Sequence, residues 1–206
     1  MYTILKWGIL GAARVNERLL PAIIEASNSQ LVAIASRRAG AAKATLEKYA
    51  PCHQNVTCYD DMDSLINDKN VEAIYCPMAN EEHAEWALKA ISAGKHVLIE
   101  KPMATKLKDI EAIEQAAIKN KVKVMEGFMY RFHPQWQTAK QLVQNGSIGQ
   151  VRSIHSHFAY NNHELDNIRN IPELGGGALM DIGCYCISLA RFIYDEEPLR
   201  VLGQIT

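Results

Sequence analysis

Apolar positions in residues 4–125 follow two rhythms. Short apolar runs predict strands at 4–10, 31–35, 56–59, 71–76, 96–99 and 122–125. Between them, apolar residues recur at helical spacing and predict helices at 14–26, 39–49, 62–66, 81–93 and 109–119. Leu31-Val32-Ala33-Ile34-Ala35 is apolar at every position, as expected of a strand covered on both faces. Pro21 falls inside the first helix and is expected to kink it, and Gly94 closes the fourth. Strand–helix alternation of this kind predicts an α/β unit, a doubly wound parallel sheet of the Rossmann type.

After Glu126 the rhythm changes. A helix is predicted at 134–144, a half-exposed strand at 151–160, a polar loop at 161–174, a long apolar helix at 178–194 and the start of a strand at 199–205. The expected division is a dinucleotide-binding domain over 1–125 and an incomplete α+β domain with a mostly antiparallel sheet over 126–206.

Composition narrows the function classes. The 206 residues are 48% hydrophobic and 22% charged, with a net charge of −1, which makes no electrostatic case for nucleic acid or an anionic membrane. No apolar run is expected to reach the ~18 residues that cross a bilayer, and the start reads as a strand rather than a signal peptide, so a cytoplasmic location is expected. Cys52, Cys58, Cys76, Cys184 and Cys186 show no paired spacing and are expected as small buried hydrophobes, not disulfides or zinc ligands.

The chemistry gathers at predicted strand ends. Glu100-Lys101-Pro102 follows the apolar run His96-Val97-Leu98-Ile99, so Lys101 projects into the crevice outside the sheet's carboxyl edge, where parallel sheets bind ligands. Gly8-Ile9-Leu10-Gly11-Ala12-Ala13-Arg14-Val15-Asn16 lies between the first strand and first helix. Counted from Gly11, the second glycine of G-x-G-x-x-G is Ala13 and the third is Asn16. Gly11 can make the tight turn, Ala13 is small, and the helix start offers N–H groups to a pyrophosphate. Asn16 stands where close helix–strand packing normally asks for glycine, and a ligand-free turn is the competing reading. At the end of the second strand, Ser36-Arg37-Arg38 replaces the carboxylate that would hold an NAD ribose, which favours NADP.

Pro77 and Asn80 mark a turn at the same edge, fit to line ribose and nicotinamide, although Asn80 equally suits a helix N-cap and His83 the covering of that helix start. Asp181 and Tyr185, four apart in an apolar helix opened by Gly175-Gly176-Gly177, share a face. Tyr185 would serve as general acid or base if a cation such as Lys101 favoured its phenolate. A structural Asp181–arginine pair and a core Tyr185 are the alternative. His155 and His157 share a strand face near His163, as a metal site, a substrate-facing surface or plain exposed histidines; no metal is expected.

Trp7-Gly8-Ile9-Leu10-Gly11-Ala12-Ala13, Ala35-Ser36-Arg37, the run from Ala93 to Pro102, Glu126-Gly127-Phe128-Met129-Tyr130-Arg131-Phe132-His133-Pro134 and the run from Gly175 to Tyr185 together resemble the Gfo/Idh/MocA oxidoreductase family. The resemblance implies a catalytic Lys101. With Tyr185 where many members carry histidine, it is similar to the branch of dihydrodiol dehydrogenase, D-xylose dehydrogenase and glucose-fructose oxidoreductase, in which the tyrosine exchanges the proton. It implies NADP as cofactor, held by Gly11, Ala12, Ala13, Arg14, Val15, Ser36, Arg37, Arg38, Pro77, Asn80, His83, Glu100, Lys101 and Arg131. Asp181 would position the substrate or Tyr185, and Arg131 would lie near the nicotinamide or pair between domains. The implied substrate is a small molecule, a sugar or cyclic diol. Members usually continue through a large antiparallel sheet, so a homodimer or higher homo-oligomer through that sheet is implied, and a chain that stops short of it. A non-catalytic dinucleotide-binding fragment is the competing reading.

Overall fold

The computed structural model describes residues 4–53 and 55–204. Six parallel strands form one sheet in the order β3-β2-β1-β4-β5-β6. They are β1 Leu5–Leu10, β2 Ser29–Ala35, β3 Thr57–Tyr59, β4 Ala73–Cys76, β5 His96–Ile99 and β6 Val124–Glu126. The crossovers are α1 Asn16–Glu25, α2 Ala41–Tyr49, α3 Met62–Asn67, α4 His83–Ser92 and α5 Leu107–Asn120. Successive side chains on a strand point to opposite faces, and the core divides accordingly. Ile9, Ile34 and Tyr75 pack with Leu20, Ile23 and Leu46 of α1 and α2. Leu10, Ala33 and Ile74 pack with Leu65, Trp86, Ile91 and Ile113 of α3, α4 and α5. The chain runs outward from β1 to β3, then returns to the other side of β1 for β4. That reversal opens a crevice at the carboxyl ends of β1 and β4, the topological switch point of the sheet. α1 continues through Pro21 as one helix, the ring falling on a half-buried position.

Beyond β6 the chain forms α6 Pro134–Gln144 and α7 Cys184–Tyr194. Several expectations are corrected here. Residues 151–160 form no strand, and neither do 199–204; position 205 of that expected strand lies outside the described residues. Alternation marks a segment ready to pair, but a ladder needs a second segment alongside, and none of the described residues supplies one. The expected loop 161–174 contains two short 3₁₀ turns, Ile168–Asn170 and Pro172–Leu174. It is clipped shut where the Asn170 side chain donates to the carbonyls of Asn162 and Glu164. The long helix begins as a π-turn, Leu179–Gly183, before α7 proper. Only Cys76 of the five cysteines is buried; Cys52 and Cys58 are exposed. Contrary to expectation, Pro172–Tyr194 is long and apolar enough, by length and composition alone, to cross a membrane. Its polar side chains Asp181 and Ser188 are buried and matched inside the protein, by Lys101 and Tyr130 among others.

Candidate active site

The turn after β1 is built to leave donors open. Gly11 adopts φ 102°, which only glycine takes without strain, and its N–H bonds to Ala35 O at 2.8 Å. A Cβ there would stand 3.1 Å from Met78 Sδ. Asn16, fully buried, donates from Nδ2 to Gly11 O at 2.8 Å, so it ties the helix to the turn where a glycine would have let them touch. The N–H groups of Asn16, Glu17 and Arg18 bond back to Ala13, Arg14 and Val15. Among the described residues, those of Ala12, Ala13, Arg14 and Val15 have no protein acceptor. Four unmet donors at a helix start suit phosphate oxygens.

Beside them lies a cleft of about 480 Å³ bordered by Ala12, Ala13, Arg14, Arg38, Lys48 and Tyr49. Arg38 reaches from the end of β2 to Ala12 O, 3.2 Å away, and its backbone N–H donates to the buried Ser36 Oγ. Arg37, expected to share this work, is already paired with Glu82 through two contacts of 2.6 and 3.1 Å. Lys48, in the last turn of α2, was missed; nothing in its local sequence separates it from a solvated helix end.

At the ends of β4 and β5 the side chains pin loops. Asn80 caps nothing; it begins a short 3₁₀ turn, and its Nδ2 donates across to Gly175 O at 2.8 Å. His83 is 1% exposed, with Nδ1 2.8 Å from Pro102 O and Nε2 2.9 Å from Met78 O. Its expected contact with a cofactor is therefore corrected: both ring nitrogens face carbonyls inside the protein, and the neutral ring donates its one N–H to either the Pro102 or the Met78 carbonyl. Burial holds its pKa below the usual value, outweighing the two carbonyls. Glu100 accepts from the buried Tyr75 hydroxyl at 2.7 Å.

Burial first, and then the Glu100 charge, push the Tyr75 phenol far above its ordinary range. The fold thus favours the neutral phenol. Its contribution is whole below the unfolded value of ~10 and is lost as pH climbs from there toward the raised folded value. Urea unfolding at roughly pH 8 and 11 is expected to show that loss in the unmodified chain and a shallower one in Tyr75→Phe.

Lys101, Asp181 and Tyr185 come together across the crevice. Lys101 Nζ donates to the Asp181 backbone carbonyl at 2.5 Å and to its Oδ1 at 3.3 Å. Asp181 sits within the π-turn, in which Cys184 N–H bonds five residues back to Leu179 O. Such turns recur where a helix must re-aim its groups at a site. The alternative reading of Asp181, as the partner of an arginine, is met by Arg169, whose Nε also bonds Oδ1, at 3.2 Å. The Tyr160 hydroxyl donates to Oδ2. Arg169 and Tyr160 escaped the sequence reading, since they lie 12 and 21 residues from Asp181, Arg169 in the polar loop and Tyr160 at the end of the expected strand before it.

Tyr185 is packed edge-on by Phe128, and the Lys101 ammonium stands 5.1 Å from its ring centroid. Its hydroxyl donates weakly to Met129 Sδ at 3.5 Å. The expected lowering of this phenol by Lys101 is reversed. The cation covers the ring rather than the oxygen, and burial, then Glu100, raise the pKa. Arg131 reaches Ser188 Oγ at 3.5 Å and stacks on Phe192, and among the described residues it has no carboxylate partner. His155 and His157 are exposed.

A switch-point crevice with an open phosphate turn on one side and a lysine–carboxylate–phenol cluster on the other defines a dinucleotide-binding α/β protein with acid–base groups in reach. The profile described as oxidoreductase family, NAD-binding Rossmann fold, matches residues 5–128, and that of the GFO/IDH/MocA C-terminal domain matches 136–206. The chain belongs to the Gfo/Idh/MocA oxidoreductase family. It is 36% identical over 201 residues to D-xylose 1-dehydrogenase (NADP(+)) 2 of Haloferax volcanii, covering 97% of this chain and 60% of the relative. Trans-1,2-dihydrobenzene-1,2-diol dehydrogenase of Xenopus tropicalis is 31% identical, covering 93% and 57%. KijD10, a 3-ketoreductase from Actinomadura kijaniata in complex with NADP and TDP-benzene, superposes with a TM-score of 0.86 at 33% identity, covering 93% of this chain and 58% of that one. The chain thus spans about three fifths of the length of these relatives.

Proposed function

We propose that this chain carries the cofactor and acid–base half of an NADP-dependent oxidoreductase, one that moves a hydride between nicotinamide and the secondary alcohol or hemiacetal carbon of a sugar or cyclic diol. The observation that carries the reading is the meeting of Lys101, Asp181 and Tyr185 opposite the Gly11 turn. The relatives' named substrates, D-xylose and a dihydrobenzene diol, both offer a hydroxyl-bearing carbon beside a second oxygen-bearing carbon. Residues 1–125 are assigned to the cofactor and 126–206 to the start of a substrate and dimerisation domain. Segment 151–160 is assigned to an antiparallel sheet through which a homo-oligomer would form.

The residues present fit the cofactor. The open N–H groups of Ala12, Ala13, Arg14 and Val15 would take the pyrophosphate, and Ser36, Arg38 and Arg14 the 2′-phosphate. A bound nicotinamide supplies the hydride donor or acceptor. Lys101 would orient the substrate oxygen and stabilise charge on it, while Asp181 holds the lysine in place. Tyr185, a phenol whose pKa burial raises, would donate its proton to a carbonyl oxygen in the reductive direction. The test measures NADP reduction with sugars and dihydrodiols, and NADPH oxidation with keto sugars, beside Lys101→Met and Tyr185→Phe. Activity that survives both substitutions overturns the mechanism.

Cofactor choice has a separate readout. Arg38→Ala is expected to weaken NADPH binding by roughly ten- to a hundredfold, the worth of a charge-assisted contact, and to leave NADH binding nearly unchanged. Fluorescence titration of both nucleotides checks this. Tighter binding of NADH than of NADPH by the unmodified chain would contradict the assignment.

A further inference from the structure

Two cations share one oxygen in this site. Lys101 Nζ and Arg169 Nε lie 3.3 and 3.2 Å from the same Asp181 Oδ1, the Tyr160 hydroxyl occupies Oδ2, and Lys101 keeps a second bond, to the Asp181 backbone carbonyl at 2.5 Å, that no other cation shares among the described residues. The carboxylate therefore cannot swing toward either cation without breaking a bond to another donor. Arg169 is not a surface arginine that happened to meet a carboxylate. Its backbone N–H is capped by Asn167 Oδ1 at 3.1 Å, and its carbonyl accepts from Gly177 N–H at 2.8 Å, four residues before Asp181. Arginine and carboxylate thus belong to one folded unit, while Lys101 arrives from the end of β5. The Arg169 side chain is 50% exposed, against 14% for Lys101, and its terminal nitrogens have no partner among the described residues.

We propose that Arg169 is a positioning residue of the Lys101 centre. By sharing Oδ1 of Asp181 it keeps the lysine from closing into an exclusive ion pair and leaves the ammonium able to turn to a substrate oxygen. A lysine held by a carboxylate of undivided charge would have to break that pair in every turnover. Sharing lowers that cost, and the backbone bonds of Arg169 hold it beside Asp181. Half-exposure limits the effect to that of a solvent-screened pair. The inference rests on the proposed hydride transfer for its kinetic readout only.

The experiment labels the full chain with an amine-acetylating reagent and follows Lys101 by mass spectrometry, with exposed Lys119 as internal reference. Arg169→Gln is expected to slow Lys101 acetylation by roughly two- to fivefold, because Asp181 then holds the lysine alone. Asp181→Asn is expected to speed it, and Arg169→Lys to restore the original rate. With NADPH and a reducible sugar, kcat of Arg169→Gln should fall by a comparable factor while KM for NADPH stays constant. A merely structural arginine predicts the opposite labelling order, since loosening the loop would expose Lys101 and quicken its acetylation; that order, or no change, overturns the proposal. Absence of hydride transfer in the unmodified chain would count against the proposed function, and the labelling order would still decide the role of Arg169.

Discussion

Lys101→Met is expected to slow hydride transfer by roughly 10²–10⁴-fold, the range over which a positioned acid–base group acts. NADPH binding should stay within about twofold, because the phosphate contacts are proposed for the turn after β1 and for Arg38, not for this side chain. Methionine keeps most of the lysine stem, so packing against the Tyr185 ring survives. Asp181 does not become an orphan, since Arg169 and Tyr160 still bond its two oxygens. The stability cost is therefore that of the charged hydrogen bonds to the Asp181 carbonyl and Oδ1, about 1.5–3 kcal/mol each at most, rather than that of an abandoned buried charge. Single-turnover kinetics with bound NADPH, together with urea unfolding, separate the two effects. Retention of more than a tenth of the rate would remove Lys101 from the chemistry.

Gly176→Ala is expected to have the largest effect on the second half of the chain. A Cβ at this position would lie 2.7 Å from Ile171 O and 2.8 Å from both Arg169 O and Ile168 O. All three are backbone atoms held by their own turns, so none can yield as a flexible side chain would. The turn that presents Arg169 to Asp181 has to open, at a cost of about 1–3 kcal/mol. Gly177→Ala is the informative contrast. Its φ of 109° also disfavours a side chain, but its Cβ would meet open space, so it carries backbone strain alone, about 1–2 kcal/mol. The expected result is that Gly176→Ala loses activity and exposes 151–180 to limited proteolysis while NADPH still binds. Gly177→Ala should keep part of its activity. Equal behaviour of the two variants would show that packing against the three carbonyls is not what fixes this turn.

The parallel sheet was readable because its signals are local. Leu31 to Ala35 announce a strand buried on both faces whatever surrounds them, and Gly11 announces a tight turn because few other residues adopt its φ. Asn16 looked like a flaw in the phosphate turn and is a fastener, since a side-chain amide can replace with a hydrogen bond what a glycine achieves by absence. Arg37 and Arg38 are indistinguishable in sequence; the position of Glu82 on a different crossover separates them. His83 is similar. Its two carbonyl contacts come from Met78 and Pro102, in the loops that follow the neighbouring strands β4 and β5, and no spacing rule encodes that meeting.

The sequence by itself determined the α/β architecture, the site of the phosphate turn and the identity of Lys101, Asp181 and Tyr185 as residues to watch. Each follows from periodicity, backbone preference or the end of a strand, and these act over a few neighbouring residues. Tertiary structure alone decided how those groups stand to one another. It placed the ammonium over the Tyr185 ring instead of at its oxygen, raised the phenol by burial, and brought Arg169 and Tyr160 onto Asp181. Charge and burial act through space, between residues as far apart in the chain as positions 101 and 181, and such distances close only when the sheet and the glycine turn have formed.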